Sequence, residues 1–183
     1  MTTEVLGLPR GRALTRDDLD SMPDDGHRYE LLDGVLVVSP SPRWIHQRVS
    51  VNLVARLYAV CTDDLEILHA PFDVVLADDT VLQPDALVVR RSAFNDRALQ
   101  GPPELAVEVL SPSTRGVDLL LKKERLQRAG CGHYWVVDPD EPSITAWALR
   151  DGEYEVVGRA TGDEELDVTQ PFEVSLVPVA LLD

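Results

Sequence analysis

Two carboxylates stand in apolar, strand-like surroundings: Asp85, in Val81-Leu82-Gln83-Pro84-Asp85, and Glu108, in the run from Glu104 to Leu110. Acids on consecutive strands can collect a hard divalent cation, Mg2+ or Mn2+, through their oxygens, and a nearby ammonium would steady the anion formed when a phosphodiester is attacked. On the helix predicted next, Leu119, Lys122, Leu126 and Ala129 fall at 3,4,3 spacing along one apolar stripe, with Glu124, Arg125 and Arg128 on the other side. A lysine in such a stripe needs either a snorkelled stem or a buried partner, and Asp118, four residues earlier, is one such partner. Lys123 lies within the same broad arc and rivals Lys122 for the role.

The elements that must position these groups follow from local pattern. Thr15 caps a short helix ending at the Pro23-Asp24-Asp25-Gly26 turn, and Tyr29 to Ser39 reads as a hairpin about Asp33-Gly34, with Glu30 at its entrance. Ser39-Pro40-Ser41-Pro42 breaks the chain before a helix from Trp44 to Val60, whose Ile45, Val49, Leu53 and Leu57 repeat every four residues. Strands are predicted over Glu66 to Leu76 and Val81 to Val89, an antiparallel pair about Asp78-Asp79-Thr80, and then over Glu104 to Leu110, a central strand. Alternation puts Glu104, Ala106, Glu108 and Leu110 on one face of that strand and Leu105, Val107 and Val109 on the other; the same parity puts Gln83 beside Asp85, where it could order a metal-bound water. A helix from about Gly116 to Ala129, closed by Gly130, precedes strands at His133 to Val137, Ile144 to Leu149 and Tyr154 to Gly158. The order describes an α/β or α+β fold, a mixed β-sheet flanked by α-helices, in a single domain over 1–183 with a core of about 14–150 and a C-terminal β-hairpin and tail over 143–183.

With 32 acidic and 17 basic side chains the net charge is −15, so any contact with nucleic acid must come from a local basic rim. Arg90, Arg91, Arg115 and Lys123 are the candidates for it. Scattered, solvated surface charge is the competing reading of the same residues. Cys61 and Cys131 lie far apart without a metal-binding spacing and read as reduced packing residues. No apolar run is long enough for a membrane span or a leader, which predicts a soluble cytoplasmic protein.

Taken in order, RYELLDGVLVV, SPSPRWIHQ, VLQPDALVV, PPELAVEVLSPST, Asp118 with Lys122, and GHYWVVDP resemble the putative restriction endonuclease family of the PD-(D/E)XK nuclease superfamily over roughly Leu14 to Arg150. The resemblance implies a restriction-endonuclease-like core that cuts DNA, with Asp85 and Glu108 as metal ligands for Mg2+ or Mn2+. Leu110 occupies the usual place of the catalytic lysine, so the resemblance moves that role to Lys122. It also implies a homodimer. Glu30 matches the YEL segment and could contribute a ligand through water, although a surface carboxylate at a hairpin entry reads the same way. His46 matches the family's histidine near the first long helix, and a packing histidine is an equal alternative. The chain departs from the family pattern at Leu126, where an aromatic is usual, and at Gly130-Cys131-Gly132-His133, where GVxE is usual.

Several features carry ordinary readings beside functional ones. Trp44, Trp135 and Trp147 could stack on bases but read first as core. Asp138 before Pro139 is a turn initiator, and Ser111 to Thr114 is helix-start chemistry that could also touch a phosphate. His27, His69 and His133 form no metal spacing. Besides a metal-dependent phosphodiesterase, the residues permit a catalytically idle binding module of the same fold. Paired-carboxylate hydrolysis of another substrate, such as a glycoside, is also open, with the separation of the acids as the deciding geometry.

Overall fold

The computed structural model describes Leu8, Pro9 and residues 11–183, and its first hairpin forms where the Asp-Gly pair predicts one. Strands β1 (Arg28–Leu32) and β2 (Val35–Ser39) pair antiparallel about Asp33 and Gly34, whose φ values of 51° and 74° are the left-handed pair that a two-residue hairpin turn requires. Gly34 is also held by close approach: a Cβ there would lie 2.5 Å from that of Ala13. Before the hairpin, Thr15 caps helix α1 (Arg16–Asp20), its amide and hydroxyl both donating to the Asp18 carboxylate. Helix α2 (Trp44–Val60) follows, burying His46, Val49, Leu53 and Leu57 along one side.

The next two expected strands each break in the middle. The stretch predicted over 66–76 divides into β3 (Leu65–His69) and β4 (Asp73–Ala77), and the stretch over 81–89 divides into β5 (Thr80–Leu82) and β6 (Ala86–Arg90). The antiparallel pairing holds in both halves, but β4 with β5 belongs to one sheet and β3 with β6 to another. Proline explains the breaks: Pro71 and Pro84 have no amide to donate to a ladder, so the chain leaves one sheet and enters the next at each. Ala70 donates to the Asp85 carbonyl at this double crossing, tying the two breaks together.

The larger sheet runs β11-β10-β9-β8-β6-β3, with β8 (Leu105–Val109) central between antiparallel β6 and parallel β9 (His133–Asp138). The hairpin of β10 (Ser143–Arg150) and β11 (Glu153–Thr161) extends one edge. The smaller sheet runs β2-β1-β5-β4-β7, completed by the short strand β7 (Ala98–Gln100). A two-stranded ribbon, β12 (Leu166–Val168) with β13 (Val174–Leu176), and a closing 3-10 turn (Pro178–Leu181) pack on the larger sheet. The architecture is thus mixed α+β with two mixed sheets where one was expected.

The two faces of the larger sheet are covered differently. Leu105, Val107 and Val109 join Val88, Trp135 and Val137 in an apolar layer sealed by α2 and by the C-terminal ribbon. Ala106 and Leu110 join Leu87, Val89, Tyr134 and Val136 on the other face, against Leu82 and Val74 of the smaller sheet and Leu126 of helix α3 (Lys123–Ala129). The residues before α3 were expected to be α-helical from Gly116. They form instead a π-helical turn, Val117–Lys122, which buries Asp118 and Lys122 and leaves Leu120 and Leu121 exposed. Gly130, at φ 85°, ends α3 as predicted. Among the described residues, no helix is long and apolar enough to cross a membrane.

Candidate active site

The site lies where the two sheets, α2 and the π-helical turn converge. Glu108 projects from β8 on the face shared with Ala106 and Leu110, as alternation requires, and is buried. Asp85 stands just after Pro84, where the chain passes between sheets, so its carboxylate is not bound to either sheet's alternation. Its Oδ2 accepts the Val109 amide at 2.8 Å and faces His46 Nε2 at 3.1 Å, while its Oδ1 accepts Arg28 Nη1 at 2.9 Å. His46 thus departs from the alternative of a packing histidine bonded to backbone.

Glu30 is only 1% exposed, which sets aside its reading as a surface carboxylate. The hairpin carries it inward against the smaller sheet, where its Oε1 accepts the Gln83 amide at 2.7 Å and lies 2.9 Å from Lys122 Nζ. Lys122 Nζ also reaches Glu108 Oε1 at 3.1 Å and Asp118 Oδ1 at 3.5 Å. The stem is buried, so the lysine does not snorkel. Tyr134 donates its hydroxyl to the Asp118 carbonyl at 2.8 Å, giving a partner to a backbone group inside the π-helical turn. Of the two rival lysines, Lys122 enters the acidic cluster, whereas Lys123 Nζ sits 4.3 Å from the Trp147 ring centroid.

Burial shapes the charges. For Asp85, burial opposes ionisation, but the His46 hydrogen bond, the Arg28 charge and the Val109 amide outweigh it and hold the carboxyl well below its ordinary range. Glu108 is pushed well above its ordinary range by burial, with Asp118, Asp85 and Glu30 adding to the shift against the pull of Lys122. Asp118 is raised for the same reasons, burial first. Lys122 keeps its proton because Glu108, Glu30 and Asp118 together overcome the cost of burying an ammonium. The cluster therefore carries a buried ammonium among acids of which two, Glu108 and Asp118, are pushed upward first by burial.

Gln83 is where parity misleads. The break at Pro84 turns its side chain to Asp73, at 2.8 Å from Nε2 to Oδ1, while its carbonyl accepts Arg28 Nη1 at 3.1 Å. Arg28 itself was missed, although it shares the Glu30 face of β1 two residues earlier and that spacing is visible in the sequence. The expected basic rim does not line the cleft over the site. Arg90 and Arg91 stand at the opposite end of β6 from Asp85, paired with Glu104 at 2.7 Å and Glu66 at 3.1 Å; Arg115 pairs with Asp138 at 2.5 Å. The cleft, of roughly 990 Å³, is bordered instead by Arg28, Arg43, His27 and His69, with Asp20, Asp24 and Asp73 among them. Trp135 is core, Trp147 is half-buried, and Trp44 is exposed with Arg48 over its ring at 5.6 Å from the centroid.

The donor chemistry fits a hard divalent cation. Glu30, Asp85, Glu108 and Asp118 offer only oxygen, they outnumber the fixed cations Arg28 and Lys122, and Glu30 Oε2 is buried without a hydrogen-bond partner. Among the described residues, no three His, Cys, Asp or Glu side chains already converge on one point for a metal ion, because the acids turn to Arg28 and Lys122.

Comparison with known proteins gives the fold a family. No curated protein matches the chain. Its structure resembles the crystal structure of a putative nuclease belonging to DUF820 from Anabaena variabilis, with a TM-score of 0.75 at 19% identity, over 92% of this chain and 97% of the other. Residues 16–181 match the Uma2 family, described as putative restriction endonucleases, a stretch that takes in every residue of the buried acidic cluster, and the chain belongs to that family.

Proposed function

We propose that this protein is a metal-dependent nuclease that hydrolyses DNA phosphodiester bonds in the cleft beside Asp85. Asp85 and Glu108 would hold Mg2+ or Mn2+, and Lys122 would stabilise the charge that develops on the phosphate. The observation that carries this reading is the buried Lys122 ammonium shared between Glu108 and Glu30, a costly arrangement that an apolar residue would replace if packing were the sole requirement. Family membership and the fold shared with a protein described as a nuclease support it. A divalent cation would supply Lewis-acid polarisation of the phosphate and a water of lowered pKa.

The chain's own residues do the rest. Glu30, fixed by the Gln83 amide, holds Lys122 in place, and His46 with the Val109 amide fixes one oxygen of Asp85. Arg28 would be the cleft cation that meets a phosphate backbone once it leaves Asp85, whereas Arg43 is held by Asp140, and a homodimer would offer one cleft to each strand of a duplex. The acidic body disfavours indiscriminate binding, so the salt dependence of DNA affinity should reflect a few local contacts.

The test is plasmid nicking by purified protein with Mg2+ or Mn2+, repeated with chelator and with Asp85→Asn and Glu108→Gln. Cutting that needs the metal and disappears in both variants is the expected result. Cutting that persists in both variants contradicts the assignment. A second reading, an idle nuclease fold that binds without cutting, is favoured by one observation: both oxygens of Asp85 already have protein partners. It predicts DNA retention with no nicking under any divalent cation.

A further inference from the structure

The three partners of Asp85 differ in how freely they can leave it. The Val109 amide belongs to the central strand of the larger sheet, and His46 is buried on α2; both are fixed by the core. Arg28 is different. Its side chain is 22% exposed, lines the cleft and reaches Asp85 on a long flexible stem from the smaller sheet. There Nη1 bridges Asp85 Oδ1 and the Gln83 carbonyl, with Nε 4.0 Å from Glu30 Oε2. A guanidinium lodged between two acids of a metal-type cluster fills the electrostatic place of a cation, and it blocks the one oxygen of Asp85 that the core does not hold.

We propose that Arg28 is a built-in counter-ion of the metal-free site, which must release Asp85 Oδ1 before a divalent cation can be held there, and which thereby sets the metal affinity of the protein. This inference rests on the reading of Asp85 as a metal ligand and adds a competitor to it. Arg28 is the guanidinium that faces Asp85, so its removal leaves that buried carboxylate without its fixed cationic partner. A dication carries more charge than the guanidinium it displaces. The freed Arg28 stays in the cleft, where its fork suits a phosphate.

Mn2+ binding to the metal-free full-length protein, measured by calorimetry, tests this. Arg28→Met is expected to bind Mn2+ about tenfold more tightly than wild type, the scale of one lost charge-assisted competitor. Arg28→Lys, which keeps the charge but loses the fork, should fall between them and guards against a folding failure of the methionine variant. Arg43→Met removes a cleft arginine that pairs with Asp140 rather than with Asp85, and should change affinity less than about twofold. Asp85→Asn should abolish binding in either background. Without metal, Arg28→Met should melt below wild type and recover when Mn2+ is added. Equal or weaker binding by folded Arg28→Met, or an equal gain in Arg43→Met, overturns the competitor role while leaving the metal site standing. Absence of binding in wild type and both Arg28 variants overturns the metal reading and this inference with it.

Discussion

Strand β8 has two faces that obey opposite rules. On one, Leu105, Val107 and Val109 enter a layer of aliphatic residues and Trp135, where shape alone decides the fit. On the other, Glu108 replaces an apolar residue one position away and is surrounded by Glu30, Asp118, Asp85, Lys122 and Arg28. Both faces are dry. The first is stabilised by what it removes from water, whereas the second survives because nearly every charge in it has a partner. A fold that accepts such a cluster opposite a good core gains nothing in packing from it, which is the physical reason to look for chemistry there.

The sharpest way to break the comparison is to remove the cation from the charged face. Lys122→Met should reduce nicking by about 10²–10³ and, because it leaves buried acids uncompensated, should destabilise the metal-free protein by about 3–5 kcal/mol at neutral pH. The stability loss should shrink in acid, where those acids protonate. Lys123→Met, over Trp147, should leave nicking within about twofold of wild type, since its ammonium meets an aromatic ring rather than the acidic cluster. Equal rate losses in the two variants would show that the helix register does not matter to the chemistry.

The apolar face gives the reciprocal outcome. Leu53→Ala, beneath the sheet on α2, should cost about 2–5 kcal/mol by thermal or denaturant melting, with nicking unchanged below the lowered melting temperature. A fall in rate without a fall in stability would mean that α2 acts on the site through more than His46.

A smaller effect separates the faces by pH. The carboxyl of Glu108 is raised above its ordinary 4.5, first by burial, so the folded protein holds that proton more tightly than the unfolded chain. The resulting stability is fully present below pH 4.5 and is lost as pH rises through the folded value. Asp85, depressed below its ordinary 3.8, acts oppositely: its contribution is present above 3.8 and is lost on acidification. In chelator, Glu108→Gln should therefore flatten the decline of melting temperature on the alkaline side and leave the acid limb unchanged. An unaltered alkaline limb would place the retained proton on another acid.

How much of this is legible in the sequence depends on the range over which each feature is decided. The Asp33-Gly34 turn, the α2 stripe and the alternation of β8 are local; the turn and the alternation are present as read, and the stripe holds at Val49, Leu53 and Leu57 while His46 rather than Ile45 occupies its first buried position. The division at Pro71 and Pro84 carries a local signal of a break, but the sheet that each half joins is set by pairing with β1, β7 and β8, far away in the chain. That same division moves Gln83 off the face of Asp85. The π-helical turn, which buries Asp118 and Lys122, has no residue pattern distinguishing it from an α-helix. Arg28 could be placed beside Glu30 by parity, yet its partner Asp85 lies 57 residues on. Arg90, Arg91 and Arg115 were grouped by charge alone, and charge alone does not reveal that each already has a carboxylate beside it.

A metal site on the charged face would require its resident guanidinium to give way to the metal. Anomalous diffraction from a crystal grown with Mn2+ tests it most directly. The expected result is a manganese peak bound by oxygens of Asp85 and Glu108, with Arg28 turned from Asp85 into the cleft and Lys122 retained beside Glu30. Manganese absent from the site at saturating concentration, with Arg28 still bonded to Asp85, would contradict it.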